Sequence, residues 1–228
     1  MEIKYKYLLF DLDDTLLDFH RAEEVALQHT FDHFGIDFNQ ITLETYKAIN
    51  QMFWKEFEHG NVSISQVQEG RFSVFFNEIG VLADGVDGNN EYQHQLSNHV
   101  YVIENAFDTL NYLSQKYDLF IVTNGVATTQ RKRIIKANFS RYFRHLFISE
   151  EIGASKPSPS FFAAVIDYVR DDKLDKYLII GDSLSSDIIG GINYGIDTCW
   201  YNPKSIIANQ SISPTFNIGN LSNLCSLL

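Results

Sequence analysis

A doubly wound parallel α/β sheet with an all-helical insert after its first strand is the fold this sequence predicts, on three observations. Three short apolar runs, Tyr7-Leu8-Leu9-Phe10, Leu119-Phe120-Ile121-Val122 and Tyr177-Leu178-Ile179-Ile180, each stop abruptly at polar residues. Runs apolar on both faces mark strands buried inside a parallel sheet. Helical patterns alternate with the later runs, as a parallel sheet requires. The stretch 19–99, by contrast, carries helical periodicity and no buried strand. The expected organisation is a core of residues 1–18 and 100–228, with 19–99 inserted as a small helical domain placed as a lid over the strand ends.

Along the chain, the first strand ends in Asp11-Leu12-Asp13-Asp14-Thr15. A helix over 21–34 places Ala22, Val25, Ala26 and Phe34 on one side, with Gly35 as its stop. A second over 42–59 repeats Leu43, Tyr46, Ile49, Phe53 and Phe57 in register, with Thr42 as N-cap and Gly60 as stop. A third covers 65–79 and ends at Gly80; Asp84-Gly85 and Asp87-Gly88 predict a turn before a fourth helix over 91–99. The helix over 106–116, with Ala106, Leu110 and Leu113 in one stripe, leads into the second strand, which ends at Thr123-Asn124-Gly125. A helix over 128–137, a strand at Leu146-Phe147-Ile148, a turn at Lys156-Pro157 and a helix over 160–169 precede the third strand and its tip, Gly181-Asp182-Ser183. Thr198-Cys199-Trp200 reads as a further strand and 221–228 as a short docking helix.

Composition narrows the function classes. The chain has 228 residues, 45% hydrophobic and 21% charged, with 18 Phe and 12 Tyr to fill a core. Its net charge of −11 disfavours polyanionic partners, so neither a nucleic acid polymer nor an anionic membrane is expected. No apolar run reaches the ~18 residues of a membrane span. The segment from Met1 to Tyr7 is too short before the first strand for a signal peptide. Cys199 and Cys225 lack CxxC spacing and read as reduced core residues of a cytoplasmic protein, monomer or homodimer.

The polar strand tips carry the chemistry. In a doubly wound sheet ligands bind beyond the carboxyl ends of the strands, so the three tips can converge. Asp11 and Asp13 face the same way in an extended chain, and two clustered carboxylates repel unless a cation or proton intervenes. Such a pair suits Mg²⁺, a hard cation that takes oxygen ligands; a solvated acidic turn is the plain alternative. A calcium loop starting at Asp11 fails, because its sixth and twelfth positions hold Leu16 and Ala22 instead of Gly and Glu. Thr123 and Asn124 offer donors for phosphate oxygens, although Asn-Gly is also a common turn. Lys156 could neutralise a phosphate or balance the acids. Asp182 is placed to complete a metal site, and Asp187 to orient Lys156 or a metal-bound water.

Together, in this order, these motifs resemble the haloacid dehalogenase superfamily of aspartyl phosphotransferases, with its Rossmann-like core and a helical cap of the C1 type. The resemblance covers essentially the whole chain. It implies a Mg²⁺-dependent phosphatase of small phosphate monoesters, with Asp11 as nucleophile and Asp13 as acid and base. It also implies phosphate binding by Thr123, Asn124 and Lys156, metal binding by Asp11, Asp13 (through its carbonyl) and Asp182, and support from Thr15 and Asp187. Dehalogenases of the superfamily lack the second acid, since a halide leaves without a proton, so Asp13 argues for phosphate chemistry. Four further stretches, 69–72, 148–153, 186–193 and 198–200, resemble a subfamily of pyrimidine 5′-nucleotidases, implying a nucleoside monophosphate substrate. Arg71 is the candidate cap residue for specificity, while Phe53, Trp54 and Phe72 could stack a base or simply pack. A sugar-phosphate phosphatase or phosphomutase on the same scaffold, and a non-catalytic phosphate-binding or regulatory protein, are the competing readings.

Overall fold

The computed structural model of the chain describes residues 4–207 and 212–228. Met1-Glu2-Ile3, the start of the segment read as too short for a signal peptide, lie outside the described residues. The described residues fall into two compact units, one within the spans 4–18, 101–127, 134–207 and 212–228, the other of Phe19–Val100 and Thr128–Arg133.

The first unit is built on a six-stranded sheet. Its strands are β1 (Tyr7–Phe10), β2 (Asp118–Thr123), β3 (Phe143–Ile148), β4 (Tyr177–Gly181), β5 (Asp197–Tyr201) and β6 (Phe216–Ile218). They lie in the order β3-β2-β1-β4-β5-β6, and every neighbouring pair is parallel. This is the doubly wound order, in which the chain builds outward from β1 on one side and then crosses to the other. The three strands with polar tips, β2, β1 and β4, are therefore the three central neighbours, paired Phe10 to Ile121 on one side and Phe10 to Ile180 on the other. All four residues of β1 are buried, as a strand covered on both faces must be.

Along these strands the alternate side chains Tyr7, Leu9, Phe120, Val122, Tyr177 and Ile179 share one face. They pack against Phe161, Phe162 and Val165 of the helix Pro159–Val169. Ser158 caps that helix through the N–H of Ser160, and Pro159 sits in its first turn, where no donor is missed. Strand β6 was not anticipated: with three residues, Phe216–Ile218, it is too short to show a period. Cys199 and Cys225 are both free thiols, and burial pushes the Cys199 thiol up to about 12.

The second unit holds four helices, α1 (Phe19–His33), α2 (Gln40–Glu58), α3 (Ile64–Glu78) and α4 (Gly85–Asn98). Gly35, Gly60 and Gly80 stop the first three with φ of 66°, 75° and 71°, conformations that suit glycine. Their core is aromatic: Phe31 stacks on Phe75 at 5.0 Å, and Tyr46 packs on Phe72 at 5.1 Å.

Two expectations are corrected in this unit. The N-cap of α2 is Asn39, not Thr42; Thr42 is the third residue of a reciprocal capping box and accepts the Asn39 N–H. The turn expected at Asp84-Gly85 and Asp87-Gly88 is instead the first turn of α4, capped by Asp84 through the Val86 N–H. Packing explains the glycines. A Cβ at Gly85 would lie 2.7 Å from the Glu69 carbonyl oxygen, and one at Gly88 would lie 2.7 Å from the Phe76 ring. They serve close approach to α3, not a reversal of the chain. Among the described residues no helix is long and apolar enough to cross a membrane.

Candidate active site

The site grows from the end of β1. The Asp11 N–H donates to the Ile180 carbonyl at 2.9 Å, so pairing with β4 runs one residue past the strand and fixes the Asp11 backbone at the sheet's centre. The chain then reverses tightly. Leu16 and Leu17 both donate their N–H to the Leu12 carbonyl, and the Asp14 N–H donates to the Leu17 carbonyl at 2.7 Å. Asp14 adopts φ 56° in this turn, a left-handed conformation that aspartate tolerates better than most side chains. The reversal buries Thr15 against the tip of β4. Its hydroxyl donates to Asp182 Oδ1 at 3.2 Å and accepts the Asp182 N–H at 3.1 Å.

Lys156 lies at the centre and is 1% exposed. Its ammonium donates to Asp11 Oδ1 at 2.6 Å, to Asp187 Oδ1 at 2.7 Å and to the Val122 carbonyl at 2.8 Å. An ammonium has three protons, so all are used; contact with a phosphate oxygen would exchange one of these bonds. Asp187 is fully buried, and its second oxygen accepts the Ser183 N–H at 3.1 Å. The residues Leu184–Ile188 form a widened, π-type turn that brings Asp187 back over β4. Gly181 makes this possible, because a Cβ there would fall 2.2 Å from Asp187 Oδ2.

The charge balance is uneven. One carboxylate oxygen each from Asp11, Asp182 and Asp187 lie within 4.8 Å of one another, with Lys156 as the facing cation. Burial raises the Asp11 carboxyl well above its usual range, and the charges of Asp187, Asp182 and Asp13 push the same way, against Lys156. Burial likewise lifts Asp182 to about 7, helped by Asp187 and Asp14. Burial alone would lower Lys156, but Asp11 and Asp187 outweigh it, and its pKa is raised. An all-oxygen donor set with surplus negative charge fits a hard divalent cation such as Mg²⁺. The Asp13 carboxylate is not one of the three clustered groups.

A pH dependence follows for the metal-free chain. Asp182 moves from 3.8 to about 7 on folding, so across that interval the folded chain holds a proton that the unfolded chain releases. This contribution is fully present below about pH 4 and lost as the pH rises through about 7. Metal-free protein is expected to lose melting temperature over that interval, and Asp182→Asn to flatten the loss. An equally steep loss in the variant would assign it elsewhere.

The first unit thus brings Lys156 into contact with Asp11 and Asp187, and Thr15 into contact with Asp182, with Asp182 near the other two acids. Thr123 ends β2, and its hydroxyl accepts the Gly125 N–H. Asn124 follows Thr123, and its side chain bonds the main chain of Lys156. Arg71 belongs to the second unit, where it is 2% exposed. It donates to Asn50 Oδ1 and Asn89 Oδ1, each at 3.0 Å, and lies over the Tyr92 ring at 4.7 Å. Asn50 in turn donates to the buried Glu23. Phe72 is wholly buried in the same helical core. The sequence reading missed Trp200, whose indole N–H donates to the Asp182 carbonyl at 2.8 Å. Its strand was foreseen, but no local signal shows where an indole will reach.

A doubly wound sheet with these acids and one lysine at its central tips defines a class, and the sequence agrees: residues 8–201 match the model of the haloacid dehalogenase-like hydrolase family. The chain belongs to that family. Among its relatives, the HAD-hydrolase YfnB of Bacillus subtilis is 40% identical over 99% of this chain and 96% of its own length. The pyrimidine 5′-nucleotidase PynA of Streptococcus pneumoniae is 36% identical over 98% and 95% of the two chains. The pyrimidine 5′-nucleotidase YjjG of Escherichia coli is 29% identical over 99% of each. A crystal structure of YfnB, described as bound to magnesium and as revealing interdomain movement, superposes with a TM-score of 0.92 over 99% of both chains.

Proposed function

We propose that this hydrolase is a Mg²⁺-dependent phosphatase that acts through an aspartyl-phosphate on Asp11, with pyrimidine nucleoside 5′-monophosphates as its substrates. The observation that carries the reading is the Asp11–Lys156–Asp187 arrangement beside Asp182 at the tips of β1 and β4. The relatives named as pyrimidine 5′-nucleotidases support the substrate class.

In this reading Asp11 attacks phosphorus, which splits hydrolysis into two easier displacements. Asp13 protonates the leaving alkoxide and then takes a proton from the attacking water. Thr123, the Asn124 N–H and Lys156, after exchanging one of its bonds, hold the phosphoryl oxygens. Asp11, Asp182 and the Asp13 carbonyl would hold Mg²⁺, with Thr15 and Asp187 fixing the groups around it. When bound, the ion supplies positive charge against the phosphate oxygens and against the repulsion among the carboxylates. The magnesium-bound YfnB crystal structure supports this choice of ion. Residues 19–99 are assigned the role of a cap, in which Arg71 contributes to specificity; the movement described for YfnB supports treating it as a separately moving body.

The test is phosphate release from nucleoside monophosphates and sugar phosphates, with Mg²⁺ and with EDTA. Turnover is expected to favour pyrimidine nucleoside 5′-monophosphates, to vanish in EDTA and to return with excess Mg²⁺. Preference for a sugar phosphate would discard the nucleotide assignment, and full activity in EDTA would discard the metal.

A further inference from the structure

We infer that Asn124 is a positioning residue, whose side-chain amide fixes the main chain of Lys156 and thereby holds the lysine ammonium against Asp11. Its consequence for turnover rests on the phosphatase reading above; its geometric content does not.

A carboxamide presents one acceptor and one donor side by side, the complement of one residue's N–H and C=O. Asn124 uses both on Lys156: its Nδ2 donates to the Lys156 carbonyl at 2.8 Å, and its Oδ1 accepts the Lys156 N–H at 2.9 Å. The two residues are 32 apart in sequence, so this is a tertiary bond pair and not a local turn. The residue after Lys156 is Pro157, which has no N–H and cannot extend a backbone ladder. The amide therefore supplies the pairing that the Lys156 loop cannot obtain from a neighbouring strand.

The end of β2 holds the lysine at both ends. The Val122 carbonyl receives the ammonium at 2.8 Å, and the Asn124 side chain, two residues on, receives the main chain. Between these points the stem is buried, and the head's remaining protons are committed to Asp11 and Asp187. A four-carbon stem is flexible, so the head is fixed only as well as its root. A shift of the Lys156 main chain by about 1 Å displaces the head from the geometry of its three bonds, and misplacement on that scale can lower turnover about 10²-fold. Because the ammonium is aimed at the attacking oxygen of Asp11, where charge changes most in the reaction, the loss should fall on kcat more than on KM.

A turn role for Asn124 makes a different prediction. Aspartate suits turns as well as asparagine does. Asn124→Asp would keep the turn and the acceptor for the Lys156 N–H, but it would set a carboxylate oxygen against the Lys156 carbonyl. The experiment is a crystal structure of the full-length Asn124→Ala and Asn124→Asp variants, with kcat and KM on p-nitrophenyl phosphate beside the parent and Asp11→Asn. The expected result is a Lys156 ammonium that has left at least one of its three acceptors, with kcat down about 10²-fold and KM changed far less. If Asn124→Ala does not fold, Asn124→Asp gives the same reading alone. Unmoved Lys156 in either variant overturns the inference, as does a parental kcat in Asn124→Asp. A parent that hydrolyses no monoester, or an Asp11→Asn variant as active as the parent, overturns the phosphatase reading instead; the position of Lys156 in the crystals then decides this inference by itself.

Discussion

Replacing Asp11 by Asn is expected to lower turnover by about four orders of magnitude or more while leaving the fold intact. The size follows from the role: Asp11 supplies the attacking oxygen, and removing a nucleophile leaves only what binding and charge stabilisation contribute. Folding should survive because Asn has the same shape and its amide oxygen can still accept the Lys156 ammonium, now 2.6 Å from Asp11 Oδ1. Phosphate release and thermal melting on the same preparation check both halves. Retained turnover in a folded variant would remove Asp11 from the mechanism.

Lys156→Met should have the next largest effect, and it acts twice. The substitution keeps most of the stem's volume but leaves Asp11 and Asp187 facing each other without their cation. Breaking a buried ion pair from one side costs about 3–5 kcal/mol, because the remaining charge stays buried. Urea unfolding of metal-free protein near neutral pH should show a loss of about that size. Turnover should fall about 10²-fold or more even at saturating Mg²⁺, since loss of one preorganised donor commonly costs that much. A variant as stable as the parent would mean that the two carboxylates are neutral in the folded chain.

Much of this site is legible in the sequence because its parts sit at strand tips. An apolar run that stops at Asp11, Thr123 or Asp182 reports both a buried strand and the polar group beyond it. The parallel order then makes those three tips neighbours. Partner choice was not legible. Asn124 read as a loop residue facing a phosphate, yet its side chain is engaged with a residue 32 positions away. Arg71 read as a candidate cap residue for specificity, and its partners Asn50, Asn89 and Tyr92 lie far from it along the chain. Gly85 and Gly88 read as turn residues because local propensity favours that, and close packing on α3 overrides it. In each case the deciding contact is distant in sequence, so no window along the chain contains it.

The central claim is that phosphorus is attacked first by Asp11 and then by water. The stereochemical course tests it most directly, using a phosphate monoester made chiral at phosphorus with oxygen isotopes and hydrolysed in isotopically labelled water. Two in-line displacements invert twice, so the account predicts net retention of configuration. Net inversion would mean a single direct attack by water, and would contradict it.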